Sequence, residues 1–161
     1  MANKPNFDFK QGHKRFGLRI NNETWQLIDK KNRTPEEDEQ MIYAAYASCY
    51  HWRKVGTHVH DQRGEWMIAR AYTLTFNKTE NIFYANRCLA IAQAHPDEMK
   101  DFDWAFIYEG IARANALAGN TEVATQFIKK AKTAARAIVD PEDLSVFQSE
   151  FQGYQWHGVS I

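Results

Sequence analysis

The sequence predicts an all-α protein in which antiparallel helical hairpins stack side by side. The tetrapeptide IARA occurs at residues 68–71 and again, 43 positions later, at residues 111–114, each time ahead of a turn and a second amphipathic stretch. Apolar residues also recur at intervals of three and four along most of the chain, which is the period of a helix with one buried face. A repeated hairpin cannot bury its apolar face alone, so we expect the hairpins to stack into a short solenoid.

Composition and charge limit the organisation and the partners. The 161 residues are 44% hydrophobic and 14% aromatic, which suits a single globular domain, 1–161. The 20 basic and 20 acidic residues balance, so neither nucleic acid nor an anionic membrane is the expected partner. No apolar run of about 20 residues and no signal-like N-terminus is present, so a cytoplasmic monomer or homodimer is expected. Cys49 and Cys88 should then be buried, reduced thiols.

The first third of the chain is predicted to hold an arm and two leading helices. Residues 1–20 contain aromatic side chains interspersed with basic ones and show little periodicity. This pattern indicates either an extended strap packed on the solenoid or a basic hook for an acidic partner. Leading helices are expected within residues 21–57. The first covers residues 22–30. The second begins after Thr34, an N-cap followed by Pro35, with Glu37 completing a capping box.

Two hairpins are predicted within residues 58–138. The helices of the first should cover residues 63–76 and 80–94, with a turn between them. The second should begin near Asp101, turn at Gly119, a favoured residue after a helix end, and continue to Ile138. Pro141 starts a last short helix within the segment 139–161, which we expect to cap the open end of the stack.

The second hairpin resembles a tetratricopeptide repeat. The residues that stand at the bulky, small and turn positions of that repeat are Tyr108, Ile111, Ala112, Gly119, Ala124 and Ala131. The first hairpin departs from the pattern, because Phe76 stands where the turn glycine belongs and Asn81 where a small alanine is usual. The period of 43 residues exceeds the family's period of about 34, and we assign the excess to residues 94–103.

A second resemblance covers most of the chain, from residue 21 to about residue 151. Short strings in it are similar to those of an uncharacterised group of small bacterial proteins, namely residues 50–52, 55–57, 63–66, 87–89 and 101–109. This resemblance implies a bacterial cytosolic helical protein and adds no activity.

The tetratricopeptide resemblance also implies a binding groove, since the first helix of each hairpin lines the concave face in that family. The corresponding residues here are Arg63, Trp66, Arg70, Phe106, Glu109 and Arg113. The repeat makes Arg70 and Arg113 equivalent, and two guanidinium groups one repeat apart suit a carboxylate. Trp66 and Phe106 could hold an apolar side chain or stack on a ring. The alternative is that either arginine pairs with Glu65 or Glu109 and ties the hairpins together.

Metal binding and catalysis have weaker sequence support. Potential metal ligands cluster around one helix end, at Cys49, His51, His58, His60 and Asp61, but their spacing matches no established zinc pattern, so no metal or cofactor is expected. No phosphate-binding loop or nucleophile elbow occurs, so no enzyme is expected. The remaining catalytic possibility is an acid/base pair between His51 and one of the carboxylates Glu65, Asp103 and Glu109.

Three functions remain open. A scaffold or adaptor that binds a peptide or protein segment on its concave face is favoured by the repeat architecture. A sensor that binds a small carboxylate in an arginine and tryptophan pocket is the second, and a metal-dependent or acid/base enzyme is the third. A pocket enclosed by the two ends of the chain would favour the sensor, and an open groove would favour the scaffold.

Overall fold

The computed structural model describes residues 8–161, and these residues contain seven α-helices and no strand. The predicted all-α class is confirmed. No helix in this part of the chain is both long enough and apolar enough to cross a membrane. The helices are α1 (Phe9–Asp29), α2 (Pro35–Arg53), α3 (His58–Leu74), α4 (Lys78–Ala94), α5 (Asp101–Ala118), α6 (Thr121–Ala135) and α7 (Pro141–Gly153), with a 3-10 turn at Pro96–Glu98.

The helices pack as three successive hairpins followed by α7. The hairpins are α1 with α2, α3 with α4, and α5 with α6, and neighbouring hairpins meet through α2 with α3 and α4 with α5. The first helices of the second and third hairpins, α3 and α5, contact each other, and α7 packs on α5. We call α1, α3, α5 and α7 the inner layer. The two leading helices are therefore a third hairpin of the stack, and α7 stands where a fourth would begin.

The predicted N-terminal arm is wrong for the residues that the structure describes. Asp8 caps α1 by accepting a hydrogen bond from the backbone N–H of Gln11 at 3.0 Å, and the helix runs without a break to Asp29. The predicted short helix at residues 22–30 is only its second half. Exposed apolar side chains at Phe16 and Leu18 obscure the helical period in the sequence. Residues 1–7 of the predicted arm lie outside the described residues.

The local signals for helix ends are mostly confirmed. Thr34 Oγ1 accepts from the backbone N–H of Glu37 at 3.3 Å, and the Glu37 carboxylate accepts from the backbone N–H of Thr34 at 3.0 Å. Gly119 ends α5 with φ 88°, a conformation that favours glycine. Helix α3 begins earlier than expected, at His58, because Thr57 serves as its N-cap and donates its backbone N–H to the ring of His60 at 3.1 Å.

Small residues in α3 and α5 let the hairpins approach closely, and both copies of the IARA tetrapeptide are buried. These two helices are surrounded by helices on most sides, so several of their polar residues have little access to solvent. The buried polar and charged residues on α3 and α5 are Gln62, Glu65, Arg70, Thr73, Asp103, Glu109 and Arg113. Stacking on both sides therefore places the repeated arginines inside the protein.

Both cysteines are free and buried, as the sequence predicts. Burial raises the pKa of Cys49 to about 11 and that of Cys88 to about 12, because an apolar environment disfavours the charged thiolate.

We therefore expect neither Cys49 nor Cys88 to react with iodoacetamide at about pH 8 while the protein is folded, since the nucleophile is the thiolate. Mass spectrometry should show no adduct before unfolding and two adducts after unfolding in guanidinium chloride. Modification of the folded protein as fast as free cysteine would contradict the buried placement.

Phe76 occupies the position at which the repeat pattern has its turn glycine, and it adopts the backbone conformation of that glycine, with φ 58°. A residue with a Cβ atom is disfavoured there by about 1–2 kcal/mol. The Phe76 ring is largely exposed and makes an edge contact with His157, with ring centroids 5.8 Å apart. The turn after α3 thus has a positive φ, as the turn at Gly119 after α5 does, although the residue is not glycine.

We expect Phe76→Gly to be more stable than Phe76→Ala by about 1 kcal/mol, because both lose the ring contact and only glycine relieves the backbone. Urea unfolding of the two variants measures this difference. Equal stability would show that the positive φ at this position costs nothing.

Candidate functional site

The six groove residues predicted from the sequence all lie on α3 and α5, but they form two neighbouring clusters. Arg63, Trp66 and Phe106 line a cavity nearer the start of these helices. The other three, Arg70, Glu109 and Arg113, are buried further along the same helices. Trp66 touches both clusters, since its ring lies 5.7 Å from the guanidinium carbon of Arg70.

The cavity has a volume of 390 Å³ and lies between α1, α2, α3, α5 and α7. Ligand sites in proteins usually measure about 300–1,000 Å³ and are lined mainly by apolar and aromatic side chains. Five aromatic rings line this one, from Trp25, Trp52, Trp66, Phe102 and Phe106. Its polar lining consists of Asn21, Ser48, His60, Gln62, Arg63, Asp103 and Asp143. We call this the aromatic cavity.

The walls of the aromatic cavity are held by specific contacts. Trp66 donates from Nε1 to the main-chain carbonyl of Phe106 at 3.0 Å and meets the Phe106 ring edge to face, with centroids 5.5 Å apart. Glycine at position 110 favours the close approach of Trp66, since a Cβ atom there would lie 3.2 Å from the indole, a tight contact. Trp52 stacks on His60, with centroids 4.5 Å apart. The cavity is therefore preformed by packing between helices.

One ion pair borders the aromatic cavity. Arg63 donates from Nε and Nη2 to the two carboxylate oxygens of Asp103, at 2.8 and 3.2 Å, and its guanidinium lies 4.8 Å from the ring centroid of Phe102. Asp103 also accepts from the backbone N–H of Lys100 at 2.8 Å. Arg63 is half-exposed, and within residues 8–161 its Nη1 has no hydrogen-bond partner. That nitrogen is available to a ligand.

The charge of the lining favours a neutral or cationic group in the aromatic cavity. Burial lowers the pKa of His60, and the positive charge of Arg63 lowers it further, so this imidazole is neutral at neutral pH. One arginine then stands against two aspartates, Asp103 and Asp143. An acid inserted among the rings would meet a net negative charge, whereas tryptophan faces attract cations and apolar groups alike.

The second cluster is a buried ionic network that joins α3, α5 and α7. Glu109 accepts from Arg70 Nη1 at 3.3 Å and forms a second ion pair with Arg113, while Arg70 also pairs with Glu150 of α7. Two arginines and two glutamates cancel in charge. The alternative stated from the sequence, in which either arginine pairs with Glu65 or Glu109, holds for Glu109 only, since Glu65 pairs with Arg53 and Arg87. Neither arginine stands on an open groove, since Arg70 is 3% exposed and Arg113 1%.

Arg113 also fastens the end of α7 and the tail. Its Nη2 donates to the main-chain carbonyls of Glu150 and Phe151 at 2.9 and 3.1 Å, and its Nη1 donates to that of Gln155 at 3.1 Å. The last carbonyls of a helix have no partner within the helix, so a buried cation satisfies them well. The ring of Trp156 lies 4.0 Å from the Arg113 guanidinium, completing its enclosure.

The acid/base pair considered with His51 is not formed. His51 lies 2.8 Å from His13, Nδ1 to Nδ1, between α1 and α2. The three carboxylates are each paired with arginines elsewhere: Glu65 with Arg53 and Arg87, Asp103 with Arg63, and Glu109 with Arg70 and Arg113.

Sequence reasoning missed most of the aromatic cavity and one of the four members of the ionic network, Glu150. It missed Trp25 and Trp52 because the leading helices were not recognised as a hairpin of the stack. It missed Glu150 because that residue lies 80 positions from Arg70 and nothing local marks the pairing. The one available signal was an acidic residue on a helix expected to cap the array.

Comparison with known proteins adds nothing to this geometry: no family model matches the chain, and neither a curated protein nor a solved structure matches it.

We expect Arg113→Ala to lower the free energy of unfolding by about 3–5 kcal/mol, because it leaves buried carboxylate charge and helix-end carbonyls without their partner. Urea unfolding measures the loss. The matched control is Arg19→Ala, which breaks an exposed pair with Glu23 at the same i,i+4 spacing and should cost less than about 0.5 kcal/mol. Equally small losses in both variants would show that the buried network is not a structural tie.

Proposed function

We propose that this protein is a helical-repeat scaffold that binds a peptide segment along its inner layer and inserts one large apolar side chain of that peptide into the aromatic cavity. The observation that carries the proposal is the aromatic cavity itself. It is preformed, contains three tryptophans, and is the half of the inner layer that the ionic network leaves open. Protein interfaces concentrate their binding energy in such aromatic pockets around one anchoring side chain.

The site residues take separate roles in this proposal. Trp66 and Phe106 form the wall that contacts the inserted side chain. Arg63 offers Nη1 to a hydrogen-bond acceptor of the peptide, either a main-chain carbonyl or a carboxylate lying outside the rings. Arg70, Glu109 and Arg113 act indirectly, because they hold α7, whose Asp143 and Val146 complete the lining. The tetratricopeptide-like character and the bacterial cytoplasmic setting expected from the sequence belong to this proposal.

A small-molecule sensor is the second candidate. It is supported by the walls of the aromatic cavity, which include α1 and α7, the two ends of the helical stack, and by a volume in the range of ligand sites. A neutral or cationic apolar molecule suits the lining better than the small carboxylate considered from the sequence.

The test selects peptides from a displayed random library on the wild-type protein and measures their affinity for two variants. Val146→Trp should occlude the aromatic cavity and weaken binding by about tenfold or more, equivalent to about 1.4 kcal/mol. Phe83→Trp is the matched control, because Val146 and Phe83 are both 53% exposed and Phe83 lies on α4, outside the inner layer. It should leave binding unchanged.

Tryptophan fluorescence gives an independent measurement, since an inserted side chain would contact Trp25, Trp52 or Trp66. Selected peptides that bind wild type and Val146→Trp equally would contradict the proposal. A library that yields no binder, together with small apolar amines that shift the tryptophan emission of wild type alone, would favour the sensor.

A further inference from the structure

Two histidines and a glutamate converge on the side of the protein where α3 begins. His58 Nδ1 lies 2.7 Å from Glu98 Oε1, and His95 Nδ1 lies 3.8 Å from the same oxygen. The two imidazole rings are parallel, with centroids 3.4 Å apart. One ligand atom from each residue falls within 4.8 Å of the others.

The unusual length of the repeat creates this cluster. His58 is the first residue of α3, whereas His95 and Glu98 belong to the connection and 3-10 turn between α4 and α5. That connection lies within residues 94–103, the excess over a regular repeat of about 34 residues. The additional turn folds back against the start of the preceding hairpin and supplies two of the three side chains.

We propose that His58, His95 and Glu98 form a binding site for a divalent transition-metal ion, with zinc as the best fit. Two imidazoles and one carboxylate are a common set of protein ligands for zinc when a fourth position is left for water. Imidazole also selects zinc, nickel and copper over calcium and magnesium, which prefer oxygen ligands only.

The spacing of the ligand atoms agrees with this assignment. Ligands of a tetrahedral zinc ion with bonds of about 2.0–2.1 Å lie roughly 3.3 Å from one another. The two nitrogen-to-oxygen distances, 2.7 and 3.8 Å, lie on either side of that value. Parallel rings do not direct both lone pairs at one point, so each imidazole must rotate. All three side chains are at least 36% exposed, and rotation meets little steric resistance.

The ion would join the start of α3 to the turn between the second and third hairpins. It is independent of the peptide-binding proposal, because none of its three ligands lines the aromatic cavity. The sequence predicts no metal because the potential ligands within residues 49–61 match no zinc pattern. The true partners of His58 lie 37 and 40 positions further along the chain.

Equilibrium dialysis of the protein without a histidine tag against zinc chloride, followed by elemental analysis, tests the proposal. Wild type should retain one zinc ion per chain. Loss of a residue that merely orients a ligand costs about 10- to 100-fold in metal affinity, so His95→Ala and Glu98→Gln should each weaken binding by at least about 100-fold. His13→Ala alters the other histidine pair of the protein and should leave affinity unchanged.

A second measurement needs no substitution: zinc added to wild type should shift the imidazole NMR signals of His58 and His95 and leave those of His13 and His51 in place. The proposal is overturned if dialysed wild type retains no zinc, if both ligand variants bind as wild type does, or if the shifts occur at His13 and His51.

Discussion

The buried network of Arg70, Glu109, Arg113 and Glu150 is the interaction on which the inner layer depends. It joins three successive inner helices, and its four charges balance; Arg70, Glu109 and Arg113 are buried, and Glu150 is mostly buried. Removing ions from water is expensive, and the cost is recovered only when every member keeps its partners. The pairing of Glu150 with Arg70 therefore favours the observed position of α7 against α3 and α5.

The placement of α7 in turn determines how much of the inner layer is covered. A repeat array of this kind would otherwise present a continuous concave surface. Here the end of α7 and the following tail cover the half of that surface nearer the ends of α3 and α5, through Arg113 and Trp156. The start of α7 borders the other half, where the aromatic cavity remains open. One helix thus closes half of the surface and provides one wall of the other half.

Trp66 connects these two halves. Its indole N–H donates to the main-chain carbonyl of Phe106 on α5, and its ring packs edge to face with the Phe106 ring. The Arg70 guanidinium lies over the same indole ring. A ligand that displaced this ring would also disturb the ionic network behind it. Because dense packing resists small displacements, the wall of the aromatic cavity should be rigid and suited to one shape of side chain.

The sequence by itself determined most of the helices, several of their ends and the existence of a repeat. These features depend on contacts within a few residues, so Thr34 with Glu37, Gly119 and Pro141 each carry a complete local signal. Where local signals conflict, as at the exposed apolar residues of α1, the prediction was wrong. The repeat also identified α3 and α5, which contribute to both the aromatic cavity and the ionic network.

Only the tertiary structure decided what those helices do. Arg70 and Arg113 form internal ion pairs and do not face solvent because Glu109 and Glu150 lie beside them. Arg70 and Glu150 are 80 residues apart in the chain. The tryptophans of the aromatic cavity come from three helices, and the ligands of the proposed metal site meet through an irregular turn. No local sequence pattern predicts these long-range contacts, because side chains distant in sequence are brought together only by the packing of the whole stack.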